Sequence, residues 1–246
     1  ESLLAHRSGV PDYAANPEYL QSALLDPGRV FTTEELVTFA EFEEPGSMGE
    51  SFQYSNTGYL LLGLVIEAVS GDSLSAALQD RISGPLALAS TRYLSPPKFP
   101  PDLPSAWLDP TEFGFPPDAD FPVMPVAAAF SGCAADCGVV TTAPELRLFF
   151  EALFDGTLLA PESLASMSRS GEDASAFEGW GRGLQLYSAS GTAVPEYGHG
   201  GGGTGYTSVV TFRPDSGDVT IVFSNNDTFD LDVVLQSYAP SVLEHG

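Results

Sequence analysis

Four consecutive glycines stand near the end of the chain, in "EYGHGGGGTGY" from Glu196 to Tyr206, and the next segment, "YTSVVTF", alternates like a strand. A phosphate-binding loop is excluded because such loops open a helix and usually carry a lysine beside the glycines. A flexible linker is excluded because two closely spaced strand signals flank the run. Without Cβ atoms, a ligand carbonyl can approach the main-chain N–H groups closely. We therefore predict a strand edge with the character of an oxyanion hole.

The order of hydrophobic periods along the chain predicts an α+β fold. Helical spacing comes first, and a period of two appears only near the end. Helices followed by an antiparallel meander are typical of α+β proteins. The predicted helices are 59–69 (a buried helix that Gly71 stops), 74–82, 143–154 and 231–243; the predicted strands are 206–212 and 219–223, and 95–125 is predicted to be a long proline-rich loop.

The charge balance excludes several classes of partner. The chain carries 33 acidic and 9 basic residues, a formal charge of −24, which repels phosphate backbones and anionic lipid. The longest uninterrupted apolar run, 58–66, is too short to span a bilayer. No metal-ligand spacing occurs, so no metal or other cofactor is expected. Cys133 and Cys137 leave a local disulfide and two buried thiols equally open, and localisation stays open with a lean to secreted or periplasmic.

Three short motifs occur in a fixed order: "HRSGV" at His6 to Val10, "YSN" at Tyr54 to Asn56, and "HGG" at His199 to Gly201. Together they resemble the penicillin-recognising serine hydrolases, which include D-alanyl-D-alanine carboxypeptidases, class C β-lactamases, D-aminopeptidases and esterases. The segment 136–156 also resembles the part of that family that precedes its late helix. The resemblance covers nearly the whole chain and implies a β-lactamase/transpeptidase-like fold, with a helical region and part of an antiparallel sheet.

The resemblance also assigns roles to residues of this chain. Tyr54 would shuttle protons, with its phenolate stabilised by His199 and by a lysine, and Asn56 would hydrogen-bond that lysine and the substrate amide. The glycines after His199 would bind the substrate, with the N–H of Gly202, beside Gly201, as one oxyanion donor. Gln185 aligns with the arginine that carboxypeptidases of the family use to bind a terminal carboxylate.

The family's nucleophile motif, S-x-x-K at a helix start, has no usable match. The single lysine, Lys98, lies in "SPPK" from Ser95, which follows the Y-x-N triplet instead of preceding it, and two prolines prevent the helical turn. We expect the serine and lysine to come from an N-terminal segment or a second chain. That segment would also supply two of the five central strands of the family's sheet. Residues 1–246 are then the larger part of one catalytic unit: 1–130 mainly helix and loop, 131–246 a helix, three strands and a last helix.

The predicted function is that of a serine acyl hydrolase or transferase acting on an ester or amide through an acyl-enzyme, inactive as this chain alone. Because Gln185 replaces the carboxylate-binding arginine, and Arg182 is expected on the opposite face of the same strand, an esterase, amidase or aminopeptidase preference is favoured over a carboxypeptidase. The alternative is a non-catalytic relative that binds a peptide or a peptidoglycan-like ligand.

Overall fold

The computed structural model describes residues 1–26, 29–49, 51–94, 103–107, 111, 116, 134–169, 178–188, 195–203 and 205–226. The "SPPK" segment, most of the proline-rich loop and the predicted last helix lie outside the described residues. Cys137 is disulfide-bonded.

Four α-helices form the first part of the chain, and side chains cap their starts. Asn16 caps the first helix through the N–H of Glu18, and Thr32 and Glu35 form a reciprocal capping box at the second. Tyr13, Phe31, Leu36, Ala40 and Leu60 pack into one buried cluster between these helices. The helices are α1 Pro17–Leu25, α2 Thr33–Phe39, α3 Asn56–Ser70 and α4 Leu74–Leu78.

Helix α3 ends where the sequence predicts, because Gly71 adopts a left-handed backbone with φ 75°. The prediction of a buried helix is wrong for its second half. Val65, Ile66 and Val69 have relative exposures of 53%, 41% and 83%. The apolar run therefore presents one face to the helical core and leaves a second apolar face without cover from the described residues.

The strands form a two-stranded ladder, β1 with β2, and a five-stranded antiparallel sheet in the order β3-β4-β5-β6-β7. The expectation of three strands is too low. The glycine-rich segment around Gly183, whose φ is 85°, turns tightly enough to split into two short strands. The strands are β1 Arg92–Tyr93, β2 Val139–Val140, β3 Glu178–Trp180, β4 Gln185–Ser188, β5 Pro195–Gly203, β6 Tyr206–Arg213 and β7 Asp218–Ser224.

A second core lies between helix α5 (Ala143–Phe154) and the large sheet. Its buried members are Phe150, Leu153, Leu184, Val210 and Phe212. Helix α6 (Pro161–Met167) follows, and Leu164 and Met167 pack against this core. The α+β prediction is confirmed, with the helical core and the sheet core as its two packing centres.

The segment from Glu1 to Val10 connects the two cores. The carbonyl of Leu4 accepts hydrogen bonds from the Tyr59 hydroxyl at 3.0 Å and from the backbone N–H of Gly183 at 3.2 Å. One residue of the segment thus joins helix α3 to the turn between β3 and β4. Because His6 follows two residues later, this contact brings the HRSGV motif to the junction between helices and sheet.

Candidate active site

The Y-x-N triplet lies at the entrance of helix α3. Ser55 is extended (φ −148°, ψ 112°) and caps the helix, since its hydroxyl accepts from the N–H of Gly58 at 3.1 Å. Asn56 is already the first helical residue. The triplet is therefore not one extended strand, and the relative direction of Tyr54 and Asn56 is set by the helix start.

Tyr54 lies at the junction between the two cores and is 38% exposed. Its ring stacks on His6, with centroids 4.1 Å apart, and meets Trp180 edge-on at 5.4 Å. Burial raises the pKa of the Tyr54 phenol, and the carboxylates of Asp12 and Asp136 raise it further. Among the described residues no cation opposes this effect. The phenol is therefore held protonated, and a proton shuttle at Tyr54 needs a positive charge from elsewhere.

The imidazole ring of His6 packs against the ring of Tyr54. His6 is 2% exposed, has a left-handed backbone with φ 51°, and its Nδ1 accepts from the N–H of Ser55 at 3.1 Å. Burial and, as a smaller cause, positive charge on His199 lower the pKa of His6 to about 4. At neutral pH the imidazole is therefore uncharged. His6 is therefore a buried structural residue of this junction.

Asn56 is held by a residue that the sequence did not single out. Its side-chain Nδ2 donates to Oδ2 of Asp12 at 3.0 Å, and Oδ1 of Asp12 accepts from the N–H of Ala14 at 3.2 Å. Burial raises the pKa of Asp12, while its hydrogen bonds oppose that shift. The signal that could have drawn attention to Asp12 is the "PDYAA" stretch, where an aspartate begins a turn.

His199 lies on β5, directly opposite Val210 of β6. Its Nδ1 donates to the carbonyl oxygen of Gly200, which leaves Nε2 as the basic nitrogen of the neutral ring. The described residues give no direct hydrogen bond between His199 and Tyr54. The Trp180 ring contacts both, and its centroid is 5.3 Å from that of His199. A proton relay between them would need a group other than these two side chains.

Trp180, at the end of β3, is the centre of this cluster, although it belongs to none of the three sequence motifs. Its ring contacts four aromatic side chains. Three of them lie in residues 1–70, here called the helical side, and one lies on β5, which belongs to the sheet side formed by β3 to β7. A tryptophan between two glycines, "GWG", is the local signal that could have identified it. Its partners are His6, Phe52, Tyr54 and His199.

The glycines of β5 serve two different purposes. A Cβ added at Gly198 would overlap the backbone carbonyl of Val210, and one at Gly201 would overlap the hydroxyl of Ser208. A Cβ at Gly202 or Gly203 would meet no atom of the described residues within 4 Å. Gly198 is thus required by the backbone of the neighbouring strand, whereas Gly201 faces a serine hydroxyl that can rotate away. Gly202 and Gly203 border space without described atoms, where a ligand could lie.

Gln185 lies on β4 directly opposite Gly198. The hydroxyl of Tyr187 donates to its Oε1 at 2.7 Å, so Nε2 is the end of the amide with hydrogen-bond donors to offer. Arg182 is not on the opposite face of a strand, as the sequence suggested. It lies in the turn between β3 and β4, and its guanidinium pairs with Glu1 at 3.0 Å.

Within the described ranges, no group of three or more His, Cys, Asp or Glu side chains is arranged to hold a metal ion. In the same part of the chain no single helix is long and apolar enough to cross a membrane. The helices 56–70 and 74–83 reach that length and composition only together, across an 80° bend.

A family model named Beta-lactamase matches residues 1–239 of the chain. The chain belongs to the β-lactamase family. Penicillin-binding protein 4 of Amycolatopsis lactamdurans is 30% identical over 187 residues, which are 70% of this chain and 46% of the relative. The chain spans about half the length of the curated relatives it matches. The family match and this relative confirm the resemblance to β-lactamase-like serine hydrolases that the three motifs indicate.

Solved structures agree with this assignment. A D-stereospecific amidohydrolase from Streptomyces sp. matches with a TM-score of 0.77 and 28% identity, over 92% of this chain and 67% of that protein. The D-amino acid amidase from Ochrobactrum anthropi SV3 matches with a TM-score of 0.72 and 26% identity, over 91% and 63%. The fold is therefore β-lactamase/transpeptidase-like, as predicted.

Proposed function

We propose that this chain forms the larger part of a serine acyl hydrolase or transferase that acts on a neutral ester or amide through an acyl-enzyme. The observation that carries the proposal is the cluster around Trp180, where Tyr54 of the helical side and His199 of the sheet side contact the same ring. Asn56, two residues from Tyr54, completes the set of family residues at this junction. A site that only binds a ligand would not require Tyr54, Asn56 and His199 together.

The proposed reaction assigns one step to each group. A serine hydroxyl attacks the substrate carbonyl, so that a C–O bond to the enzyme forms while the bond to the leaving group breaks. Tyr54 takes the serine proton and delivers it to the leaving group. The developing oxyanion is stabilised by the N–H of Gly202, beside the open space at the end of β5. Water or an acceptor then releases the acyl group.

The serine and its lysine are proposed to lie outside these 246 residues, on an N-terminal segment or a second chain. The only lysine is Lys98, and its "SPPK" context is incompatible with a helical turn. Two observations support this. The pKa of Tyr54 is raised by burial and carboxylates, so that its phenolate requires a cation still to be supplied. The exposed apolar face of α3, with Val65, Ile66 and Val69, offers a surface for another helix.

The proposed substrate is uncharged at its leaving end. Gln185 presents amide donors where the family's carboxypeptidases have an arginine, and Tyr187 fixes the other end of that amide. Arg182 is engaged with Glu1 and with the carbonyl of Ser166. The similarity to an amidohydrolase and an amidase supports the same class. The high negative charge further disfavours free carboxylates.

The second candidate function is a non-catalytic relative that binds a peptide or peptidoglycan-like ligand. The observation in its favour is the same raised pKa of Tyr54, since without an added cation the phenol is only a hydrogen-bond donor.

Labelling with a fluorophosphonate separates the two functions. When the segment or chain that carries the serine and lysine (the partner segment) is present, we expect stoichiometric labelling of its serine. We also expect hydrolysis of a neutral ester or amino acid amide. Residues 1–246 expressed alone should be poorly soluble and should stay unlabelled. No labelling in the presence of the partner would favour the binding function. Labelling of the isolated chain would place the nucleophile within it, and faster cleavage of a dipeptide with a free carboxyl end would overturn the substrate class.

A further inference from the structure

The Asn56 side chain makes its described hydrogen bond through one end only. Nδ2 donates to Asp12, whereas the amide oxygen Oδ1 accepts nothing from the described residues. Oδ1 is also not among the described polar atoms that are buried without a partner. The oxygen of this half-buried side chain is therefore at least partly accessible, and it is the atom that Asn56 offers to an incoming group.

Asp12 is fixed independently of Asn56. It caps the 3-10 turn Tyr13–Ala15 through the N–H of Ala14. The N–H of Tyr13 donates to Thr57 Oγ1 at 2.9 Å, and the Tyr13 hydroxyl donates to Asp136 Oδ2 at 2.8 Å. The carboxylate is thus attached to a turn that is anchored both to α3 and to the half-buried Asp136.

An ionised carboxylate accepts hydrogen bonds and cannot donate them, so it discriminates between the two ends of an amide. Rotation of the Asn56 amide by about 180° would set its oxygen against Oδ2 of Asp12, an unfavourable contact between two acceptors. It would also turn the NH2 group outward in place of the oxygen. The half-buried carboxylate therefore decides which atom of Asn56 faces outward.

We propose that Asp12 is a positioning residue that keeps Oδ1 of Asn56 directed outward as a hydrogen-bond acceptor. The inference rests on the proposed function, in which a lysine ammonium, a hydrogen-bond donor, meets Asn56. An acceptor stabilises that ammonium, whereas an outward NH2 group would face it as a second donor. Asp12 thereby acts on the reaction without touching the substrate.

The substitution Asp12→Asn tests this with almost no change in shape. Its oxygen can still cap the turn at Ala14, but its NH2 group then faces Asn56 and forces that amide to rotate. We expect kcat for a neutral ester or amide to fall about 10- to 100-fold, since small displacements of positioned groups cost this much. KM should change by less than about threefold, because uniform binding is not the property removed.

The exchanged pair Asp12→Asn with Asn56→Asp is the decisive rescue. The introduced amide donates to one oxygen of the introduced carboxylate, and the other carboxylate oxygen faces outward as an acceptor again. The double variant should recover at least about half of the logarithmic loss in kcat. A double variant no better than Asp12→Asn would overturn the inference, because the acceptor would then be irrelevant.

Asn16→Asp is the matched control for a purely structural effect. Asn16 is also a buried cap whose NH2 group donates, in its case to the carbonyl of Phe39 at 2.8 Å, and it does not contact Asn56. This substitution should lower the free energy of unfolding while kcat stays within about twofold. An equal loss of kcat at equal loss of stability in both variants would show that Asp12 is only a structural cap.

A readout without turnover separates this inference from the proposed function. The side-chain amide signal of Asn56 in a 1H–15N NMR spectrum, assigned by its loss in Asn56→Asp, should shift in Asp12→Asn and not in Asn16→Asp. If the wild-type protein hydrolyses nothing while that signal shifts, the proposed function fails and the orientation by Asp12 holds. An unchanged signal in Asp12→Asn would overturn the inference whatever the activity.

Discussion

The two sides of the candidate cleft are constructed in opposite ways. On the helical side, the His6 ring accepts from Ser55, and Asp12 accepts from Asn56, the next residue along. On the sheet side, the end of β5 presents Gly202 and Gly203, around which a Cβ would meet no atom of the described residues within 4 Å. The helical side therefore specifies which atoms are donors and acceptors, whereas the sheet side specifies how much space is left.

This difference predicts different sensitivities to mutation. On the helical side, exchanging a donor for an acceptor should matter even where the shape is preserved, as Asp12 and Asn56 test. On the sheet side, added volume should matter, and only at positions where the neighbouring strand leaves no room. Trp180 belongs to both sides, because its ring contacts Tyr54 and His199.

The largest expected effect is on the helical side. Tyr54→Phe removes the proposed proton-transfer group and should lower acylation of a neutral ester about 10²- to 10⁴-fold. The fold should be preserved, because the hydroxyl makes no described hydrogen bond. Stopped-flow measurement of acyl-enzyme formation checks this.

Tyr59→Phe is the matched control for Tyr54→Phe. Tyr59 also stacks near His6, with centroids 5.1 Å apart, but its hydroxyl donates to Leu4. Its loss should lower stability and leave acylation within about threefold. Similar losses of acylation in the two variants would contradict a special role for Tyr54.

The next effect concerns pH. The ordinary pKa of His6 is 6.5, and the folded protein lowers it to about 4 because the ring is buried. The unfolded chain therefore takes up a proton before the folded chain does. The stability that neutral His6 provides is complete above about pH 6.5 and is lost as pH falls from there towards about 4, by about 2–3 kcal/mol.

His6→Asn isolates that contribution. Asparagine tolerates the left-handed backbone and can accept from Ser55 N–H, but it does not titrate. Urea unfolding at several pH values should show that the difference between wild type and His6→Asn shrinks below pH 6.5. Comparing the two proteins cancels the opposite contribution of Asp12 and Asp136, whose pKa values burial raises. Parallel curves between about pH 4 and 6.5 would rule out a buried neutral His6.

The smallest effect tests the sheet side. Gly198→Ala sets a methyl group against the carbonyl of Val210 and should lower the free energy of unfolding by about 1–3 kcal/mol. Gly203→Ala, whose Cβ would meet no described atom within 4 Å, should change it by less than about 0.5 kcal/mol. Urea denaturation of both variants measures the contrast. Equal changes would show that the glycines of β5 are not divided as described.

Local features of the sequence were sufficient for much of the fold. The stop of α3 at Gly71, the helix 143–154 and the last two predicted strands follow from caps, periodicity and turn residues, which act over a few positions. The motifs were likewise sufficient for the family. The number of strands was underestimated because short strands such as β3 and β4 contain too few residues to show a period.

The sequence by itself determined which residues are candidates for chemistry, because Tyr54, Asn56 and His199 belong to motifs that are read locally. Only the tertiary structure decided what surrounds them. The hydrogen bond from Asn56 to Asp12 joins residues 44 positions apart, and the ring contact of Trp180 with Tyr54 joins the helical side to β3. Such contacts depend on chain topology, and burial then sets the pKa of Tyr54, Asp12 and His6 through the loss of water around them.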